Sequence, residues 1–141
     1  MQSTFGKNIR VSIWGGSHEP AIGVDIEGIP VGTRIDMNQL RAFLKRRAPG
    51  NSPFATKRKE PDLPIPVAGI AAWGGGTPPE QAPVIITTAP LISFEIRNTD
   101  TRSGDYKGLR AVPRPGHADY TARLRYGDTL NMAGGGPFSA R

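Results

Sequence analysis

Apolar and polar residues alternate in several short stretches of the chain, which is the pattern of half-buried β-strands. The clearest stretches are residues 8–14, 21–29 and 91–97, and shorter apolar runs at 67–72 and 84–86 indicate two more strands. Glycine and proline separate most of these stretches, so we expect short elements and many loops. The first two predicted strands are close enough in sequence to pair with each other.

One long helix is predicted after the second strand. Met37, Leu40, Phe43 and Leu44 recur at helical spacing, and Asp36 stands where a capping box with the glutamine three residues later would begin the helix. The pattern ends before an Ala-Pro-Gly sequence. Basic residues in the last turn suit the negative end of the helix dipole.

The rest of the chain shows little periodicity. Residues 50–66 are interpreted as a basic surface loop and residues 73–83 as a flexible insert rich in glycine and proline. A short helix or strand is predicted over 118–126. The length of 141 residues fits one domain that is large enough to bury a core.

Charge narrows the possible ligands. The formal net charge of +6 and a pI of about 10.2 favour anions: nucleic acid, acidic membrane or small phosphorylated metabolites. Aromatic residues are not interleaved with the basic runs, which ranks nucleic acid below a small phosphorylated ligand. Without cysteine and with two histidines, neither a disulfide framework nor a structural zinc site is expected. No apolar signal core or membrane-spanning run is found, so a cytoplasmic protein is expected.

His117 is the first candidate for chemistry. It stands in the sequence RPGHADYT, where Pro115 fixes one backbone dihedral and Gly116 permits an unusual one. Asp119 is close enough to orient or charge the imidazole, as proton transfer requires. The alternative is an ordinary loop in which Asp119 caps a short helix starting near Tyr120. The octapeptide alone leaves both interpretations open.

His18 is the second candidate. It lies in a glycine-rich turn after a predicted strand, where the backbone can approach a ligand and Ser17 can act as a hydrogen-bonding partner. Taken alone, this pattern favours an ordinary surface histidine over a catalytic one. A set of cations in loops or at element ends could converge on a phosphate, although each one singly is better explained as solvated charge. These cations are Arg46, Arg47, Lys57, Arg58, Arg102, Arg114 and Arg141.

Taken together, these segments resemble the N-terminal part of the chorismate synthase family. The matching pieces follow in the family's order: FGKNIRV, GGSHEPAIGV, RRAPGNS, RKEPD, IRNTDTRSGDY, RPGHADYT, RYGD and GGGPFSAR. The resemblance covers nearly all of residues 1–141 and treats residues 72–84 as an insertion. It implies an α+β fold, the N-terminal portion of a chorismate-synthase-like β-α-β sandwich.

The resemblance also implies an activity. Family members are lyases of aromatic amino acid biosynthesis that convert 5-enolpyruvylshikimate 3-phosphate to chorismate and phosphate by anti-1,4-elimination. They require reduced FMN, with NADPH as a possible reductant of the flavin, and are generally homotetramers. The expected ligand is therefore a small phosphorylated substrate, with no nucleic acid and no membrane as partner. A non-enzymatic remnant that binds flavin or a phosphorylated metabolite, and a basic nucleic-acid-binding domain, are the alternatives.

Site residues follow by similarity. His18 would protonate or stabilise the reduced flavin, His117 would act as general acid toward the leaving phosphate, and Ser17 resembles a serine that helps to relay the abstracted proton. Three arginines match family residues that clamp the anionic groups of the substrate, and one of them, together with a serine, is also expected to contact the flavin. The arginines are Arg47, Arg114 and Arg141, and the flavin contacts are Arg47 and Ser139.

The chain also departs from the family pattern. Many members have glutamate at Gly16 and glycine at Glu19, so this chain has a different carboxylate beside His18. The flavin-contacting arginine and serine that usually precede Ser139 are Pro137 and Phe138. Arginines common in and beyond the RRxPG motif are replaced by Ala48 and Pro53. Because family members are more than twice as long, we expect the aspartate that acts as base, and much of the flavin pocket, to be missing and the chain alone to be an inactive fragment.

Overall fold

The structure is a computed structural model, and it describes residues 2–16, 18–46, 61–99, 112–129, 132 and 138. Within these residues the chain forms two antiparallel sheets, two α-helices and one short 3₁₀ helix, which confirms the expected α+β class. The β-α-β sandwich of the resemblance is a finer statement and stays a prediction.

The larger sheet has five strands. Their bounds are β1 Gln2–Phe5, β2 Arg10–Gly15, β3 Ala21–Glu27, β5 Ile65–Ala68 and β8 Leu91–Arg97, and their order across the sheet is β1-β2-β3-β8-β5. The predicted pairing of the first two patterned stretches is confirmed as the β2–β3 hairpin, with Gly15 opposite Ile22. Strand β3 also pairs with β8 along its whole length, from Ala21 opposite Arg97 to Glu27 opposite Leu91.

The smaller sheet has three strands and leads into the first helix. Its strands are β4 Arg34–Asp36, β6 Ile70–Ala72 and β7 Val84–Thr87, in the order β4-β7-β6. Helix α1, Met37–Lys45, follows β4 directly. The predicted cap at its start is confirmed, because the Asp36 carboxylate accepts hydrogen bonds from the backbone N–H groups of Asn38 and Gln39 at 2.8 and 3.1 Å.

The hydrophobic core lies where the two sheets and α1 meet. Side chains that alternate along β8 and β7 supply its centre, since one face of each strand turns inward. Met37, the first residue of α1, is completely buried with them, and Leu40 packs against the cluster one turn later. The buried members are Met37, Ala82, Ile85, Ile92 and Phe94.

The sequence prediction of one strand over 67–72 is wrong. The chain forms two strands there, and they belong to different sheets: β5 ends at Ala68, and β6 begins at Ile70. Gly69 makes the crossing with a φ of +69°, and a side chain at this position would overlap the carbonyl oxygen of Leu91. A glycine is therefore required sterically at the point where the chain changes sheets.

The last described part of the chain is helical. Helix α2 spans Asp119–Tyr126 and continues into a 3₁₀ turn at Gly127–Thr129, so the open choice between helix and strand over 118–126 is settled as helix. Strands β1 and β4 were not predicted from the sequence. Among the described residues, no helix has the length and apolar character needed to cross a membrane.

Candidate functional site

His18 lies in the connection between β2 and β3, as predicted. We call this connection the His18 turn (residues 16–20, of which Ser17 lies outside the described residues). The backbone N–H of Glu19 donates to the Gly16 carbonyl oxygen at 3.0 Å, which closes a four-residue turn with His18 as its third residue. The His18 side chain is half-buried, and its Nε2 atom is shielded from solvent.

Asn98, the first residue after β8, holds the His18 turn against the sheet. Its side-chain Nδ2 donates to the carbonyl oxygens of Gly16 at 2.9 Å and Glu19 at 2.7 Å. Its backbone N–H donates to the Pro20 carbonyl oxygen at 2.9 Å. This asparagine belongs to the run IRNTDTRSGDY, and no role was predicted for it from the sequence. The only signal in the sequence is a polar amide directly after a strongly alternating strand.

His117 lies in a second turn, immediately before α2. Its backbone N–H donates to the Arg114 carbonyl oxygen at 3.4 Å, and Gly116, the third residue of this turn, has a φ of +74°. Proline second and a positive-φ glycine third are the features of a type II turn. The expected Pro-Gly turn is confirmed, and the His117 side chain is exposed on it.

Arg114 and Asp119 form a partly buried ion pair that links the first residue of this turn to the first residue of α2. The Arg114 Nε donates to Asp119 Oδ2 at 2.7 Å and Nη2 donates to Oδ1 at 2.9 Å, so the pair is bidentate. The backbone N–H of Arg114 also donates to Oδ2 at 3.1 Å. The side chains are 16% and 9% exposed. Arg114 Nη2 further donates to the Met132 carbonyl oxygen at 3.1 Å.

The ion pair perturbs the Asp119 carboxyl. The hydrogen bond from the Arg114 side chain is the largest cause that lowers the pKa of Asp119 from 3.8 to about 2. The Arg114 backbone N–H and the positive charges of Arg114 and His117 add to this effect, while burial opposes it. Asp119 therefore stays ionised over the whole physiological pH range.

This geometry decides one of the two interpretations of Asp119 left open by the sequence, the capping of α2, and the role of Asp119 in proton transfer at His117 stays a prediction. Asp119 is the first residue of α2 rather than its cap, because Ala118 occupies the cap position and makes no side-chain capping bond. The predicted cap for a helix starting near Tyr120 is thus wrong. The described hydrogen bonds of the carboxylate come from Arg114, and its coupling to His117 is through charge.

Several predicted site residues lie outside the described residues. They are Ser17, Arg47, Ser139 and Arg141, and the departures Ala48, Pro53 and Pro137 lie outside as well. Their roles stay predictions, as does the meeting of the two histidines around one ligand. Lys57, Arg58 and Arg102 of the proposed set of cations also lie outside the described residues, whereas Arg46 follows the last residue of α1 and lies over the Phe43 ring at 4.2 Å. Phe138 is exposed, with its ring 6.3 Å from that of Tyr126.

No cluster of three or more potential metal ligands is found within the described part of the chain. The candidate reactive groups are two imidazoles on separate turns. Asn98 holds the His18 turn, and the Arg114–Asp119 ion pair holds the His117 turn. One imidazole is sheltered beside a sheet, and the other is exposed beside a neutralised ion pair. Such groups can donate hydrogen bonds to anions and can give or accept a proton.

Comparison with known proteins identifies the family. A sequence model described as chorismate synthase matches residues 9–141. Chorismate synthase of Lancefieldella parvula is 45% identical over 141 residues, which is 100% of this chain and 34% of the relative. Chorismate synthases of Allorhizobium ampelinum and Rhizobium leguminosarum bv. trifolii are each 42% identical over 139 residues, 99% of this chain and 36% of theirs.

The chain thus spans about a third of the length of the curated relatives that it matches. The matched region contains both histidine turns, the Asn98 contact and the Arg114–Asp119 ion pair. Because the family match extends over nearly the whole sequence, the chain belongs to the chorismate synthase family.

Proposed function

We propose that this chain supplies the two histidine-bearing parts of a chorismate synthase active site. The reaction would be conversion of 5-enolpyruvylshikimate 3-phosphate to chorismate and phosphate by anti-1,4-elimination with reduced FMN. The observation that carries the proposal is that His18 and His117 each lie in a hydrogen-bonded turn within a region that matches the family. Because the chain spans a third of its relatives, the rest of such a site would come from sequence outside the matched region.

The 1,4-elimination breaks one carbon–oxygen bond and one carbon–hydrogen bond, and the ring double bond between them is replaced by two, so no electrons are gained or lost overall. The departing phosphate needs a proton or a cation on its oxygen. His117 suits this task because its ring is exposed and its backbone is fixed by a type II turn. In the proposal, His117 donates the proton to the phosphate oxygen as the carbon–oxygen bond breaks.

The proton on carbon requires a separate acceptor. The resemblance implies an aspartate in the part of the relatives beyond the matched region, with Ser17 as a relay. Arg114 contributes positive charge close to His117, yet its described hydrogen bonds go to Asp119 and to the Met132 carbonyl. We therefore assign Arg114 chiefly to holding the His117 turn. Its direct contact with substrate stays a prediction.

The donor set of the His18 turn suits a reduced flavin. An imidazole with one nitrogen shielded from solvent can hydrogen-bond an anionic ring edge without competition from water. In the proposal His18 holds that edge, with Arg47 and Ser139 as further contacts by resemblance. When bound, reduced FMN supplies electron density to the substrate ring during loss of phosphate. The task of His18 is to orient the cofactor and to hold or move a proton at its shielded nitrogen.

The test compares the chain alone with a hybrid. In the hybrid, this chain replaces the matched third of the Lancefieldella parvula enzyme, and the unaltered enzyme is the positive control. Anaerobic mixtures with reduced FMN and 5-enolpyruvylshikimate 3-phosphate are assayed for phosphate release and chorismate formation. We expect turnover in the hybrid and a large fall in turnover when His117 is replaced by alanine. A correctly folded hybrid that binds both ligands without releasing phosphate would contradict the proposal.

The alternatives have distinct results in the same series. Binding of flavin or substrate by the chain, with no turnover in any hybrid, supports a non-enzymatic phosphometabolite-binding remnant. Affinity for DNA or RNA that falls steeply with salt supports a basic nucleic-acid-binding domain, since released counterions dominate such binding. The sequence pattern already ranks the last alternative lowest.

A further inference from the structure

We propose that Asn98 is a positioning residue for His18. One side chain donates two hydrogen bonds to the carbonyl oxygens on either side of this histidine, and the backbone of the same residue donates a third to Pro20. The significance of this role for catalysis rests on the proposed function. The role itself is a statement about the position of the His18 ring and can be tested without turnover.

The sheet fixes where Asn98 stands. Arg97, the last residue of β8, pairs with Ala21, the first residue of β3. Asn98 follows Arg97 and therefore lies beside the turn that precedes β3. The Asn98 side chain contacts Glu19, 79 positions earlier in the sequence, and Gly16, 82 positions earlier. Because β3 and β8 are paired along seven residues, the support for the His18 turn comes from the most extensively paired strands of the sheet.

The chemistry of the contact selects asparagine. Two carbonyl oxygens converge on one atom, and a primary amide nitrogen carries two N–H donors that can serve both. Aspartate at this position would place carboxylate oxygens, which only accept hydrogen bonds, against the two carbonyl oxygens. Alanine would leave both carbonyls without these donors. The Gly16 backbone is buried, so water cannot freely replace the lost hydrogen bonds. The turn would then relax, and the ring of His18 would move with it.

The test uses histidine ring signals in nuclear magnetic resonance spectra of the chain. The chain contains two histidines, so the spectrum has one signal set for His18 and an internal control from His117. The substitutions His18→Gln and His117→Gln assign them. The test variants are Asn98→Ala, Asn98→Asp and Asn98→Ser, and the matched control is Thr99→Ala at the exposed neighbouring position.

We expect Asn98→Ala to shift and broaden the His18 ring signals while those of His117 stay unchanged. Asn98→Asp should have the largest effect because of repulsion, and Asn98→Ser an intermediate one because one donor remains. Amide signals of β7 and α1 report whether the core is intact. Unchanged His18 signals in folded Asn98→Ala and Asn98→Asp overturn the proposal. Global unfolding of all three Asn98 variants, with Thr99→Ala folded, also overturns it, since Asn98 would then be a general folding residue.

A second measurement connects the position of the His18 ring to catalytic activity. In a hybrid that turns over substrate, Asn98→Ala should lower kcat by roughly 10-fold to 10²-fold, change its pH profile and leave KM nearly unchanged, because misplacement of a reacting group affects the chemical step. The two proposals can fail separately. Loss of turnover in every hybrid counts against the proposed function and leaves the spectroscopic result standing, whereas unmoved His18 signals count against Asn98 whatever the activity.

Discussion

The two histidine turns are built on opposite principles. The His18 turn is held by a neutral amide, Asn98, which is itself fixed by long strand pairing. The His117 turn is held by an ion pair between two residues that are five positions apart, Arg114 and Asp119. The first support comes from distant sequence and carries no charge, and the second is local and depends on charge.

This difference has consequences for stability and for chemistry. An amide that bonds backbone carbonyls does not titrate, so its support persists as long as the sheet is folded. An ion pair weakens when either partner loses its charge, and it places a cation and an anion close to the imidazole it supports. The His117 turn is therefore expected to be the more sensitive of the two to pH and to conservative substitution.

The largest expected effect concerns the two imidazoles themselves. In a hybrid with turnover, His117→Ala should lower kcat by about 10²-fold to 10⁴-fold with much less change in KM, because a positioned acid acts mainly in the transition state. His18→Ala should also lower kcat, and it should in addition weaken binding of reduced FMN. Steady-state kinetics under anaerobic conditions measure both. Equal losses of kcat and substrate affinity in His117→Ala would count against the acid role.

The glycines that precede the two histidines give the next largest contrast. Gly15 has a φ of +86°, and a methyl group there would overlap the Ala21 carbonyl oxygen and lie 2.8 Å from the Ile22 Cα. Gly116 has a φ of +74°, but a methyl group there meets nothing within 4 Å. Both alanine variants are destabilised by the positive φ, and in Gly15→Ala the backbone at Ala21 and Ile22 must also shift.

We expect Gly15→Ala to lower the free energy of unfolding by about 3 kcal/mol or more, and Gly116→Ala by about 1 kcal/mol. Urea unfolding followed by circular dichroism gives both values. The Gly15 variant should also shift the His18 ring signals, because the end of β2 is displaced. Similar losses at the two positions would mean that the end of β2, which leads into the His18 turn, is no more tightly packed than the His117 turn.

Sequence reasoning found local features and missed those that depend on register. Alternation predicted β8 over 91–97, and the Pro-Gly pair predicted a stiff mount for His117, because both are properties of adjacent residues. The split at Gly69 and the role of Asn98 depend on which strands pair, and no short pattern encodes this. Strands β1 and β4 were missed because their few residues are mostly polar, and only their partners make them strands.

Lowering the pH should affect the His117 turn and not the His18 turn, with a smaller loss of stability than that expected for Gly15→Ala. The pKa of Asp119 is lowered in the fold from 3.8 to about 2, so its ion pair contributes fully above about pH 4. That contribution is lost as the pH falls through about 2, and the shift corresponds to on the order of 2 kcal/mol. We expect the His117 signals and the amide signals of α2 to change over this window while the Asn98 contact, which does not titrate, persists until the sheet unfolds.

The matched control for the acid experiment is Asp119→Asn. This variant keeps the shape of the side chain and removes the titrating group, so the acid step in the His117 and α2 signals should disappear. Loss of order in both turns at one pH in the unaltered chain, with the same midpoint in Asp119→Asn, would show that Asp119 does not govern the response.

The smallest expected effect distinguishes charge from hydrogen-bond geometry in the ion pair. Arg114→Lys keeps the positive charge but replaces a planar fork by a single ammonium, which cannot donate side-on to both carboxylate oxygens. We expect a loss of about 1 kcal/mol in unfolding free energy. Because the hydrogen bond from the Arg114 side chain is the largest cause of the lowered pKa of Asp119, that pKa should rise toward its ordinary value. Carboxyl titration by nuclear magnetic resonance measures the change. An unchanged pKa in Arg114→Lys would mean that charge alone holds the His117 turn, and the contrast with the geometric support of His18 would then be at its greatest.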